Sequence, residues 1–132
     1  MNLIIISGPS GSGKSILAKR ICKEFKDIDL IKTDSYYRDN LIIKILSLFF
    51  NDIYDRIISI KRKELINTLT SILNKEKIIY AYNYNFKTRK STKEEITPKC
   101  SKYTKQIVIL EGIFSHRVIR NFKNQIFMKI IC

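Results

Sequence analysis

Residues 8–15 read Gly-Pro-Ser-Gly-Ser-Gly-Lys-Ser, between the apolar run Leu3-Ile4-Ile5-Ile6 and a helical pattern that begins at Lys14. No other feature limits the fold so strongly. Glycines between a strand and a helix let the backbone curl until successive N–H groups point at one place. The helix adds the positive end of its dipole there. Such an array suits phosphate oxygens, and the spacing is that of the Walker A phosphate-binding loop, in its confirming strand–helix context. Gly8, Ser10, Gly11, Ser12, Gly13, Lys14 and Ser15 are therefore candidate ligands of a nucleotide. Lys14 would reach the β- and γ-phosphates, and Ser15 Oγ would help to hold Mg²⁺. ATP and Mg²⁺ are the implied cofactors.

The rest of the chain is consistent with an open, mostly parallel α/β sheet of the P-loop NTPase type with flanking helices. Leu3–Ile6 is short, apolar and β-branched, as a strand buried on both faces must be. Ile16, Leu17, Ala18, Ile21 and Phe25 give the following helix its apolar face. Ile28–Ile31 predicts a second strand, which completes a βαβ unit and implies a right-handed parallel crossover. Leu41–Phe50 predicts a helix buried on much of its surface, and 59–75 a helix with Leu65, Leu69, Ile72 and Leu73 inward. Ile78–Tyr82 suggests a strand entering a hairpin at 82–86. The polar, basic residues 87–105 are expected to be a surface excursion. Ile107–Leu110 predicts another buried strand and Ile126–Ile131 a fourth strand, joined by a short helix that Ser115 can cap. Ending on a bare apolar strand implies a covered edge or an incomplete domain, and leaves self-association open.

At 132 residues the chain is expected to be one domain, 1–132. With 25 Lys+Arg against 12 Asp+Glu it carries a formal charge of +13. Basic charge attracts nucleic acid, but the clusters at 21–26, 61–63, 87–93 and 99–105 form no single stripe. A lysine-rich face that favours small anionic substrates is the simpler expectation. Cys22, Cys100 and Cys132 form no Cys-x-x-Cys, and with one histidine in the chain they argue against zinc. Reduced thiols fit a cytoplasmic setting. The run Leu41–Phe50, broken by Lys44 and Ser47, is too short to span a bilayer.

Two acidic residues fall where chemistry is expected. Asp34, in Asp34-Ser35-Tyr36-Tyr37-Arg38, follows the second strand at the carboxyl edge where open α/β sheets bind ligands. It can take the proton of an attacking hydroxyl or orient it, or it can simply cap a helix. Glu111 ends the strand Ile107–Leu110, the place of a Walker B carboxylate that binds Mg²⁺ directly or through water. An ordinary strand-end carboxylate is the alternative.

Taken together, the loop at 8–15, Asp34-Ser35-Tyr36-Tyr37-Arg38 and Glu111-Gly112-Ile113 resemble the uridine–cytidine kinases, in the group that includes phosphoribulokinases. Asp52-Ile53-Tyr54-Asp55 is similar to that family's Asp-Ala-Phe-Asp segment, and Tyr84-Asn85-Phe86 to its Tyr-Asp-Phe. The resemblance covers nearly the whole chain. It implies ATP-dependent phosphorylation of the 5′-hydroxyl of uridine or cytidine, in pyrimidine salvage. It further implies that Asp34 is the catalytic base beside Lys14, that Asp52 holds the ribose, that Tyr84, Phe86 and Ile113 contact the nucleoside, and that Glu111 serves the metal. Tyr84 and Phe86 can equally be packing residues.

Two departures stand out. Arg89 falls where the family carries a base-reading histidine, which makes it a substrate-binding candidate and leaves the preferred base open. The family's arginine-rich lid helix and fifth core strand follow the segment that matches 126–131, and neither is present within these residues. A lid's arginines contribute on the order of 10³–10⁵ in rate. A catalytically inactive P-loop module that binds nucleotide or a partner is therefore the alternative. Guanylate kinases share the loop, but their Thr/Arg-rich segment for GMP has no counterpart here.

Overall fold

The four apolar runs pair into one sheet. The computed structural model describes residues 2–52, 59–99 and 106–132. It contains strands β1 (Leu3–Ser7), β2 (Ile28–Lys32), β3 (Ile79–Asn85), β4 (Lys90–Ile96), β5 (Ile107–Glu111) and β6 (Ile126–Ile131), and helices α1 (Lys14–Glu24), α2 (Leu41–Phe49) and α3 (Arg62–Leu73). β2, β5, β1 and β6 lie side by side in that order, and every pair is parallel. β1 is thus central, with β5 between it and β2.

Alternation along β1 divides the core. Leu3 and Ile5 face one layer with Val108, Leu110, Leu65, Leu69 and Ile72, under α3. Ile4 and Ile6 face the other with Ile109, Ile28 and Ala18, under α1. Both faces are covered, which is why these strands read as unbroken apolar runs rather than as an alternating pattern. The fold class expected from sequence is the one observed.

Four expectations need correction. Residues 87–105 are not all surface excursion, because β4 lies among them, paired antiparallel with β3 from Ile79↔Ile96 to Asn85↔Lys90. β4 is almost entirely exposed, so its side chains carry no apolar signature while its backbone still pairs. The turn is set by Asn85, whose side-chain oxygen accepts from the Lys87 and Thr88 amides at 2.9 and 3.1 Å. α2 is not largely buried: Ile43 alone is fully inside, whereas Leu41, Leu48 and Phe49 are more than 70% exposed. Residues 115–121 form a 3₁₀ segment, and Ser115 does not cap it. Its buried hydroxyl lies 2.8 Å from the Ile6 and Gly112 carbonyl oxygens, tying this turn to the end of β1. The helix expected over 59–75 is shorter, Arg62–Leu73.

β6 forms the edge of the sheet, with Phe127, Met128 and Ile131 exposed. Among the described residues no helix is long and apolar enough to cross a membrane. Cys22 and Cys132 are free thiols; Cys100 lies outside the described residues.

Leu69 is wholly buried where α3 meets the sheet. Leu69→Ala is expected to lower unfolding free energy by about 2–5 kcal/mol, since it leaves a cavity in a two-sided core. Urea denaturation followed by circular dichroism measures this.

Candidate active site

Parallel register brings the carboxyl ends of β1, β2 and β5 to one edge. Glu111, the last residue of β5, is paired with Ile6 on β1 and with Lys32 on β2. Just beyond Ile6 the chain enters the glycine-rich loop, and just beyond Lys32 it enters the 3₁₀ turn Thr33–Tyr36 that contains Asp34. Glu111 thus sits between the two segments singled out from sequence, and it is almost fully buried.

The loop ends at Gly13, whose φ of 85° permits an immediate entry into α1 without a side-chain cap. No side chain competes for the first amides of that helix. A hollow of about 230 Å³ is lined by Gly11, Gly13, Lys14, Ser15 and Ile16. Lys14 is buried and turned back over its own loop, where Nζ donates to the Pro9 carbonyl and to Ser12 Oγ. Both acceptors are neutral. A phosphate oxygen offers the ammonium an opposite charge as well as a hydrogen bond, so an entering phosphate would displace them.

Ser15 Oγ donates to Glu111 Oε1 at 2.8 Å across 96 positions of sequence. A hydroxyl and a carboxylate side by side next to a phosphate cradle are the oxygen donors that Mg²⁺ accepts, its remaining positions being left to water and phosphate. Among the described residues no group of three His, Cys, Asp or Glu forms a metal cage.

Gly112 lets β5 end this way. Its φ is 139°, and a Cβ there would run into the Thr33 side chain. Thr33 Oγ1 lies 3.4 Å from Asp34 Oδ1. Asp34 is exposed and is the second residue of the 3₁₀ turn, whose N-cap position is Lys32.

The candidates assigned to the acceptor side are less uniformly gathered. Tyr84 is buried and packs edge-on against Tyr37 at 5.6 Å and Phe86 at 5.0 Å, while Phe86 also meets Tyr37 at 5.6 Å. Tyr37 belongs to the Asp34 segment, so these rings join the β3–β4 turn to it. Phe86 is 61% exposed and Ile113 is half-buried against the core. Arg89 is exposed at the tip of the turn, at φ 53°. Asp52 is exposed in a turn after α2, and Ile53, Tyr54 and Asp55 lie outside the described residues.

Sequence reasoning overlooked several groups here. Tyr36 is buried and donates to Thr68 Oγ1 at 2.8 Å, and Thr68 in turn lies 2.7 Å from the Tyr80 carbonyl. Burial raises the Tyr36 phenol above its usual range. Asp39 accepts from the Ser91 amide at 2.9 Å and faces Lys61 at 3.8 Å. The Ser91 hydrogen bond, aided by Lys61 and Lys44, holds the Asp39 carboxyl below its usual value. His116 Nδ1 lies 3.2 Å from Ser7 Oγ at the start of the loop. Tyr36 lies within the Asp34–Arg38 segment, whereas Asp39 and His116 belong to no motif, and all three depend on contacts remote in sequence.

No family model matches the chain. It is 34% identical over 127 residues to a protein named uridine kinase from Haemophilus ducreyi, an alignment that covers 90% of this chain. By sequence this chain is a relative of the uridine kinases. It spans 56% of that relative's length. A possible uridine kinase from Bacillus stearothermophilus superposes with a TM-score of 0.71 at 15% identity, over 98% of this chain and 69% of that one. D-glycerate 3-kinase from Cryptococcus neoformans superposes with a TM-score of 0.56 at 18% identity, over 94% and 49%. At such identities the superpositions establish the fold, which is that of the P-loop kinases.

Two outcomes follow from these contacts. Gly112→Ala is expected to cost about 1–3 kcal/mol through backbone strain and to disturb Thr33, measurable by urea denaturation. Asp39, with its folded pKa below the unfolded value of about 3.9, stabilises the fold above that value. That contribution is lost as pH falls through the folded pKa. Acidification from about pH 7 to about pH 3 should therefore lower the urea midpoint less in Asp39→Asn than in the wild type.

Proposed function

We propose that this chain binds Mg·ATP at its glycine-rich loop and transfers the γ-phosphoryl group to the 5′-hydroxyl of a pyrimidine nucleoside, uridine or cytidine. The observation that carries the reading is the 2.8 Å hydrogen bond between Ser15 Oγ and Glu111 Oε1 beside Lys14. Residues remote in sequence meet where a phosphate-bound cation would need them. Similarity to a protein named uridine kinase supports the choice of acceptor.

In this reading the amides of residues 8–15 and the Lys14 ammonium bind the phosphate chain and orient the γ-phosphate. Ser15 and Glu111 hold Mg²⁺, which when bound neutralises charge on the phosphates. Asp34, exposed at the sheet edge across from the loop, accepts the proton of the attacking hydroxyl. Tyr84 and Phe86 supply an aromatic wall for the base, Ile113 an apolar contact and Asp52 a carboxylate for ribose hydroxyls. Arg89 is the nearest match to a base-reading group.

A transfer assay with γ-labelled ATP and a panel of nucleosides tests this. Label is expected on uridine or cytidine. Asp34→Ala should lose about 10²–10⁴ in kcat while still binding ATP, and Lys14→Ala should lose ATP binding. ATP binding that requires Lys14 but is never followed by transfer would identify a nucleotide-binding module instead. Salt-sensitive RNA binding indifferent to Lys14→Ala would place the function in the basic surface.

A further inference from the structure

Nothing in the loop or its metal donors explains how the β3–β4 hairpin, which among the described residues pairs with no other strand, is held beside the Asp34 segment. Aromatic contact between Tyr37, Tyr84 and Phe86 supplies attraction but little direction, since ring pairs tolerate a range of offsets. Direction comes from a polar junction one turn further along. Asp39 Oδ2 accepts the backbone N–H of Ser91 at 2.9 Å. Ser91 is the residue directly opposite Tyr84 in the β3–β4 register. Lys61, the residue that precedes α3, donates from Nζ to Ser91 Oγ at 2.9 Å. The same ammonium lies 3.8 Å from Asp39 Oδ1 and 4.6 Å from the centre of the Tyr82 ring.

One carboxylate and one ammonium therefore grip the amide and the hydroxyl of a single strand residue, from two different elements. The backbone on either side is fixed as well. Arg38 N donates to the Ser59 carbonyl at 2.6 Å and Lys61 N to the Tyr36 carbonyl at 2.7 Å. The Asp34 segment and the start of α3 thus form one support, and the hairpin is pinned to it at Ser91.

We propose that Asp39 is a positioning residue: with Lys61 it clamps the hairpin at Ser91 and so sets the affinity of the chain for its nucleoside. The proposal rests on the assignment of Tyr84 and Phe86 to the nucleoside pocket. Asp39 touches no reacting atom; it acts by fixing where Tyr84 and Phe86 stand relative to Asp34. Release of the clamp leaves the phosphate loop intact, because neither Asp39 nor Lys61 contacts residues 8–15 through any of these bonds.

Amide hydrogen exchange and uridine binding in the full 132-residue chain test the proposal, with Asp39→Ala and Lys61→Met compared with wild type. Lys61→Met keeps the packing stem and removes the charge, so one variant remains informative if the other folds poorly. Exchange at the Ser91 amide is expected to quicken at least tenfold in Asp39→Ala, with β1 and β5 amides unchanged. The KM and Kd for uridine should rise about tenfold, equivalent to about 1.4 kcal/mol, while kcat and the KM for ATP stay within about twofold. Asp39→Glu, which restores the charge, should recover part of the affinity. Unchanged Ser91 exchange overturns the clamp alone, whatever the wild type does with nucleosides. A fall in kcat with KM unchanged, or an equal rise in KM for ATP, overturns the positioning role and indicates general structural damage. A wild-type chain that binds no nucleoside overturns that role together with the pyrimidine-kinase reading, while exchange at Ser91 still decides the clamp.

Discussion

The parallel pairing of β1, β5 and β2 is the constraint from which the rest of the site follows. Glu111 is opposite Ile6 on one side and Lys32 on the other. A change of register by one residue would turn its carboxylate to the opposite face of the sheet. The pairing is fixed by Leu3, Ile5, Val108 and Leu110 beneath α3, and by Ile4, Ile6 and Ile109 beneath α1. Burial of these side chains selects the register, and the register places Ser15 against Glu111. Apolar packing thus sets the position of a polar pair that has no local reason to meet.

A different physics holds the acceptor side. The Asp34 segment is anchored by the Tyr36–Thr68 hydrogen bond, by backbone bonds to residues 59 and 61, and by the junction at Ser91. Tyr36, Tyr37 and Tyr84 are buried in the same cluster as Leu3 and Ile5, whereas β4 is largely exposed. Elements secured by exposed hydrogen bonds and ion pairs open at lower free energy than core strands. The exposed strand β4 is therefore expected to open before the core strands.

The core strands were legible because burial on both faces leaves uninterrupted runs of Ile, Val and Leu, and the loop because its glycines and lysine recur at fixed spacing. Asp34 and Glu111 could be located from their position at strand ends. The structure sets Glu111 against Ser15, and Asp34 at the same edge. β4 escaped detection because Lys90–Ile96 exposes nearly every side chain, so neither an apolar run nor an alternation marks it. α2 misled in the opposite direction: its composition signals burial, yet only Ile43 turns fully inward. Asp39, Lys61 and Ser91 are separated by 22 and 30 positions along the chain, and only the folded arrangement shows them to be one junction. Ser115 was noticed as a cap, but its hydroxyl secures the end of β1.

The central claim is that Lys14, Ser15 and Glu111 form one magnesium–nucleotide site. Calorimetric titration of the chain with a non-hydrolysable ATP analogue, with and without Mg²⁺, addresses it without requiring any acceptor. The account predicts binding that strengthens with Mg²⁺, weakens sharply in Glu111→Gln and vanishes in Lys14→Ala. Binding indifferent to Mg²⁺ and to both substitutions, or no binding in the wild type, would contradict it.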